Sequence, residues 1–390
     1  MFEDFLSTLL NGLAVGSLYA LIALGYTMVY GILKFINFAH SDVFVLGAWV
    51  SFGAASVAGL ARGGQEVPIP AWQFYALGAL GTAGLAVLTW EFVRSRSKNA
   101  AVLRGRGGTM IGVCLWGFGT LGLVVLARHG HRADWPGLAV GGLVLLTAMS
   151  ACGAAGFSLE RLAYKPLRRA PRLNVLITAI GVSLLLQNLG QLNWMFGTRP
   201  QPMPPLIPDR VLATLAGGEL LADGTRTPAV QLHMVDALGA GTAVVLMILL
   251  DFLVFHTKLG RAMRAVSFNE RTAALMGIPV DRIISFTFVL GAALAAAAGF
   301  LYAQKYSGLN QPAAAGWVLL GLKAFVAAVV GGVGNIRGAM LGGILIGLLE
   351  FFGMTYISTS LRDVYVFAAL IIVLLVKPSG LLGSTVAEKV

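Results

Sequence analysis

The chain has 390 residues, of which 57% are apolar and only 12% charged, and it carries a formal net charge of +11. Soluble domains carry about 25% charged residues, so this deficit points to lipid rather than water as the solvent. The 50 glycines are scattered, not periodic, which excludes a collagen helix, and the Lys and Arg residues sit in short clusters between apolar stretches, a positive-inside distribution that argues against nucleic acid as the partner.

A helix needs about 20 apolar residues to cross roughly 30 Å of hydrocarbon. Such stretches recur near 6–31, 42–61, 72–92, 110–127, 138–157, 173–195, 232–255, 283–304, 316–335, 338–357 and 363–376. These eleven candidate spans predict an all-α, polytopic transmembrane bundle. The chain opens on Met1, Phe2, Glu3 and Asp4, without the positive start of a cleaved signal peptide, so the first stretch is expected to remain as a span. Cys114 and Cys152 lie inside apolar runs with no metal-ligand spacing and read as small buried hydrophobes. The connection 196–231, rich in proline and glycine, reads either as a plain connector or as a loop able to contact a partner. The stretches 316–335 and 338–357 meet near Arg337 through a connection too short for an ordinary loop, which leaves a re-entrant pair open.

Alternate connections divide the basic residues unequally. Those at 32–41, 93–109, 158–172, 256–282 and 336–337, with the C-terminal tail, hold 19 of the 28 Lys and Arg; the opposite set holds 8, and Lys323 lies within a span. The bias predicts an N-terminus outside and a C-terminus in the cytoplasm.

The segment 258–282 falls on the cytoplasmic side of that topology. Ser267 followed by Glu270 has the spacing of a capping box, Gly277 offers a left-handed stop, and Pro279 lies just beyond it. One short helix fits between these signals, with Phe268, Thr272, Leu275 and Met276 on one face and Arg261, Arg264 and Arg271 around it. Two readings fit it equally: docking into a groove on another protein, or lying on the lipid surface held by its arginines.

Seven stretches, in order, resemble one family. They are Asn11–Leu21, Leu24–Gly31, Ile36–His40, Glu160–Arg168, the 258–282 segment with Lys323–Gly332, and Leu374–Gly383. Together they resemble the LivH-type permease of high-affinity branched-chain amino-acid ABC importers. The resemblance implies an inner-membrane transport subunit whose 267–277 helix is the coupling helix received by an ATPase cleft. Arg261, Arg264, Ser267, Glu270, Arg271, Leu275, Met276 and Gly277 would then form the coupling surface. It also implies a second, LivM-like permease subunit, two ATPases similar to LivG and LivF, and an extracytoplasmic binding protein. ATP and Mg would be used by the ATPases, with no cofactor bound by this chain. Three features depart from the family pattern: about 72–136 is additional and brings two spans, Ser41 stands where glycine is usual, and Arg337 where proline is usual.

The chain's own residues limit the chemistry. It has no Walker-type phosphate loop and no zinc-protease or nucleophile-elbow sequence, so an enzyme is not expected and the energy source must lie in another subunit. Polar groups at membrane depth are costly and mark a substrate path by default. Asn37, His40, Gln187, Asn188, Lys323 and Glu350 are the candidates. Lys323 and Glu350 are suited to the two charges of an amino acid, but equally to pairing with each other or to snorkelling, and His40 fits a structural corner better than a proton relay. Gly12 and Gly16, and Gly334, Gly338 and Gly342 with Gly343 and Gly347 offset by one, have the small-xxx-small spacing of close helix contacts. The alternatives are a permease for urea or short amides, a free-standing secondary transporter or channel, and, ranked last, a membrane-embedded enzyme.

Overall fold

The computed structural model describes residues 2–57, 137–168, 170–193, 195–217 and 230–383. The expected spans 72–92 and 110–127, their basic connection and the tip of the 196–231 loop lie outside the described residues.

Eleven helices carry the described chain: α1 (Phe2–Leu33), α2 (His40–Val57), α3 (Gly137–Leu159), α4 (Arg172–Gln191), α5 (Met234–His256), α6 (Lys258–Phe268), α7 (Glu270–Leu275), α8 (Val280–Lys305), α9 (Ala315–Gly331), α10 (Ile336–Tyr356) and α11 (Arg362–Val376). A π-turn, Glu160–Tyr164, and a 3-10 turn, Lys165–Leu167, continue α3. Seven of these segments are long and apolar enough to cross a membrane, and α9 is a shorter apolar helix of 17 residues, about 25 Å long. The chain is a multi-pass α-helical membrane protein.

The helices sort by burial. α1 and α8 form the centre, buried along most of their length, whereas α4, α5 and α11 keep wide apolar faces open. α1 and α10 run antiparallel: Thr8 Oγ1 lies 3.0 Å from Thr355 Oγ1, and Phe5 meets Phe352 edge-on. The offset glycines of α10 have separate purposes. A Cβ on Gly343 or Gly347 would stand 2.4 Å from the backbone of Ala20 or Gly16 in α1, while one on Gly338 or Gly342 would strike Gly331 or Ala327 in α9. Successive residues point about 100° apart on a helix, so a one-residue offset gives α10 two close-packing faces.

The described connections gather into two ends. At the basic end, Ser267 Oγ donates to Gly31 O at 2.6 Å and Asn335 Nδ2 to Leu382 O at 2.7 Å, so α6, the end of α1, the α9–α10 turn and the C-terminal segment lie together. At the other end β1 (Gln201–Pro202) pairs antiparallel with a strand at Gly308–Leu309, and Gln304 accepts from the Leu206 amide at 2.9 Å. β2 (Val211–Ala216) and β3 (Val230–His233) make a second antiparallel pair there.

Two connections shape the interior of the bundle. The α9–α10 connection is a turn through Gly332 and Gly334, both at positive φ, clamped by Leu381 and Leu382 amides on Val330 and Gly331 carbonyls. The link between α1 and α2 is buried inside the bundle rather than lying outside it. His40 opens α2 with its ring Nε2 3.2 Å from Ile22 O, and Ser41 packs on Gly321, the middle of α9. Ile22 lies eleven residues before the end of α1, roughly 16 Å along its axis, so α2 starts deep in the membrane.

Candidate functional site

The α6–α7 segment is built by two caps. Thr257 Oγ1 accepts from the Gly260 amide at 3.1 Å and starts α6; Asn269 Oδ1 accepts from the Thr272 amide at 3.0 Å and starts α7. The expected capping box between Ser267 and Glu270 is absent. Ser267 lies in the last turn of α6, and its hydroxyl is taken by the Gly31 carbonyl, one of the carbonyls left open where α1 ends. Asn269, in extended conformation, is an equally good cap, so the short helix is six residues long, Glu270–Leu275. Gly277, at φ +83°, ends it: the Gly277 amide reaches Ala274 O at 3.0 Å and the Ile278 amide reaches Ala273 O at 3.1 Å, the pattern of a Schellman stop.

The outer face of this element is apolar and uncovered. Phe268, Leu275 and Met276 are 90%, 87% and 79% exposed. Glu270 and Arg271 flank them, and Arg261 and Arg264 project from α6, the latter with its guanidinium 5.3 Å from the centre of the Phe255 ring. Covering a large apolar side chain is worth about 1.5–3 kcal/mol. Three such side chains on one capped tip, beside Arg261, Arg264 and Arg271, leave an apolar surface uncovered among the described residues.

Behind the tip, Pro279 leads into α8, whose first turn is tied to the π-turn. Buried Glu160 accepts from Ser285 Oγ at 2.6 Å and from Arg168; Arg168 also reaches Asp281 at 2.6 Å, and Lys165 lies 3.2 Å from Asp281. Glu160 and Arg168 drew attention in the sequence only as parts of a resembling stretch; Asp281, which pairs with Arg168 from 113 residues away, has no local signal.

A second charged cluster lies deep between α1, α9, α10 and α11. Glu350, 0% exposed, accepts from Tyr19 Oη at 2.8 Å, from Lys323 Nζ at 2.9 Å and from Arg362, and Lys323 also meets Asp363 at 2.6 Å. Lys323 and Glu350 are thus brought together, in a group with two acids and two bases. Tyr19, Arg362 and Asp363 were missed because each stands alone in sequence or at the mouth of a span.

Three of the remaining candidates, Asn37, His40 and Gln187, lie at the buried start of α2. Asn37 accepts from Tyr164 Oη at 2.5 Å, and His40 is held on Ile22 O. Gln187 Nε2 reaches Asp42 Oδ1 at 3.0 Å and Ser183 Oγ at 3.1 Å. Asn188, on the open face of α4, turns back to Leu184 O at 2.7 Å. Asp42 itself, at the edge of an expected span, is the residue that sequence reasoning passed over, although a carboxylate within the second apolar stretch was visible there. Of the two positions that depart from the family pattern, Ser41 is accommodated by the bare Gly321, and Arg337 pairs with Asp251 at 2.8 Å and covers the Phe255 ring at 4.6 Å.

Comparison with known proteins gives the same direction. The family model described as branched-chain amino acid transport system / permease component matches residues 8–376. The high-affinity branched-chain amino acid transport system permease proteins LivH of Salmonella typhimurium and of Escherichia coli K12 are each 34% identical over 389 residues, covering 100% of this chain and 99% of theirs. BraD of Pseudomonas aeruginosa is 34% identical over 386 residues, 99% of this chain and 98% of its own. No solved structure matches. A match along almost the whole length, on a bundle of apolar helices, places the chain in the family of branched-chain amino acid transport permease components.

Proposed function

We propose that this protein is the inner-membrane permease subunit of an ATP-driven importer for branched-chain amino acids. A LivM-like permease would complete the path, two LivG- and LivF-like ATPases would hydrolyse ATP with Mg, and an extracytoplasmic binding protein would deliver substrate. The N-terminus faces outside and the C-terminus the cytoplasm. Relatives named for branched-chain amino acids support the substrate class, with other amino acids, urea and short amides as the neighbouring options.

The observation that carries this reading is the exposed tip of Phe268, Leu275 and Met276 at the basic end. In this reading it is a plug for an ATPase cleft, with Arg261, Arg264, Glu270 and Arg271 around the rim and Gly277 fixing its angle. A push on α7 passes through Pro279 into α8. It then reaches the Glu160–Arg168–Asp281 cluster and the centre of the bundle.

Changing Leu275→Asp puts a charge into the cleft. The expected result is ATPase binding weaker by about 30-fold or more, with uptake lost and the purified permease as heat-stable as before. Pull-down of the ATPases and ATP-dependent uptake in vesicles check it. Full transport by the variant, or uptake by the permease without any ATPase, would instead favour a free-standing transporter.

A further inference from the structure

We propose that Asp42 receives the ammonium group of the amino-acid substrate where it passes between α2 and α4. The inference rests on the importer reading above and assigns a residue to its substrate.

Six acids in the described membrane helices have cations beside them. Glu160 has Arg168, Asp236 has Lys305, Asp251 has Arg337, Asp281 has Lys165 and Arg168, and Glu350 and Asp363 share Lys323. Asp42 has none among the described residues. One of its oxygens accepts from Gln187; the other, Oδ2, is buried with no hydrogen-bond partner, and the residue is 5% exposed. A carboxylate so placed is costly, and a cation with protons to donate removes that cost. A primary ammonium group carries three donors on one compact charge, as a lysine side chain does.

The surroundings suit such a ligand. Because α2 begins inside the bundle, Asp42 sits at depth rather than at a surface. α4, which covers it, rests on α2 and the π-turn, with Gly190 near its end against Pro312, and keeps most of its surface exposed among the described residues. Its inward face is Val175, Ala179 and Val182, an aliphatic wall for a branched side chain. From the open face inward, exposed Asn188, half-buried Gln187 and buried Asp42 make a graded polar series. Gln187 therefore acts as the holder that keeps Oδ1 satisfied and leaves Oδ2 free.

The test uses the complete complex with its binding protein in proteoliposomes and tritiated leucine. Asp42→Asn keeps the shape and removes the charge. Uptake should fall at least about tenfold, while ATP hydrolysis stimulated by the binding protein stays within about twofold, and Asp42→Glu should restore most of the uptake. Unchanged uptake with asparagine overturns the proposal. So does equal loss of uptake and ATP hydrolysis, which would mark Asp42 as part of the scaffold. A sodium requirement present in the unmodified complex and absent in Asp42→Asn overturns it in favour of a metal cation. Failure of the unmodified complex to take up leucine, with leucine bound by the binding protein, strikes the importer reading instead.

Discussion

The tip between α6 and α7 and the cluster around Glu350 invert the usual arrangement in opposite ways. At the tip, Phe268, Leu275 and Met276 stand in the open; in the cluster, Glu350 and Lys323 are enclosed among helices. Among the described residues nothing covers the exposed apolar side chains, so the tip is open to a contact from outside them. The enclosed charges answer one another: Tyr19, Lys323 and Arg362 all point to one carboxylate, and Asp363 balances the second positive charge. An unfinished surface marks a contact, and a finished network marks a joint between helices. Asp42 combines both features, being enclosed like the cluster and unfinished like the tip.

That contrast is most exposed to test at Glu350. Changing Glu350→Gln keeps the shape and the means to contact Tyr19 but leaves a net positive charge in the interior. Breaking one member of a buried ionic network costs about 3–5 kcal/mol, and the lower part of that range is expected because Lys323 keeps Asp363. Thermal unfolding in detergent would show it. Adding Arg362→Gln to the same protein rebalances the group, and the pair of changes should be less damaging than the sum of each alone. A Glu350→Gln protein as stable as the original would show that the cluster is not a joint.

A smaller effect separates the two possible caps of the tip. Asn269→Ala removes the contact that starts α7 and should cost about 1 kcal/mol of local helix stability, seen as faster amide exchange over 270–276 and weaker ATPase binding. Ser267→Ala loses a bond to Gly31 O instead, so exchange should quicken where α1 meets α6 and leave α7 protected. The opposite result would restore the Ser267–Glu270 capping box.

The bundle was legible because apolar length is a property of one segment at a time. The stretches read at 6–31, 232–255 and 363–376 appear as Phe2–Leu33, Met234–His256 and Arg362–Val376. The division of loops into two ends was legible for a similar reason, since charge bias is local to each connection. Contacts between distant segments were not. Tyr19 and Glu350 are 331 residues apart, and nothing near either names the other. The glycine spacing of α10 announced close packing, yet which glycine faces α1 and which α9 depends on the helix's rotation. The Ser267 reading failed because a capping pattern states what a hydroxyl is able to do, while the nearest open carbonyl decides what it does.

Arg337 should show the smallest effect, and its size is informative. Family resemblance places proline at this position, and here an arginine pairs with Asp251 and lies over Phe255, joining α10 to α5 at the basic end. The guanidinium is largely in solvent, where ion pairs contribute little because water screens them and long side chains lose freedom on pairing. Arg337→Ala should therefore leave the unfolding temperature within about 2 °C of the original. Arg337→Pro should be tolerated as well, because it places proline in the first turn of α10, where the amide has no partner within the helix. A large loss from alanine with none from proline would assign the residue's importance to backbone shape at the α9–α10 turn. A large loss from both would mean that the Asp251 pair fixes the angle of α5, and with it the tip that α5 and α6 hold out.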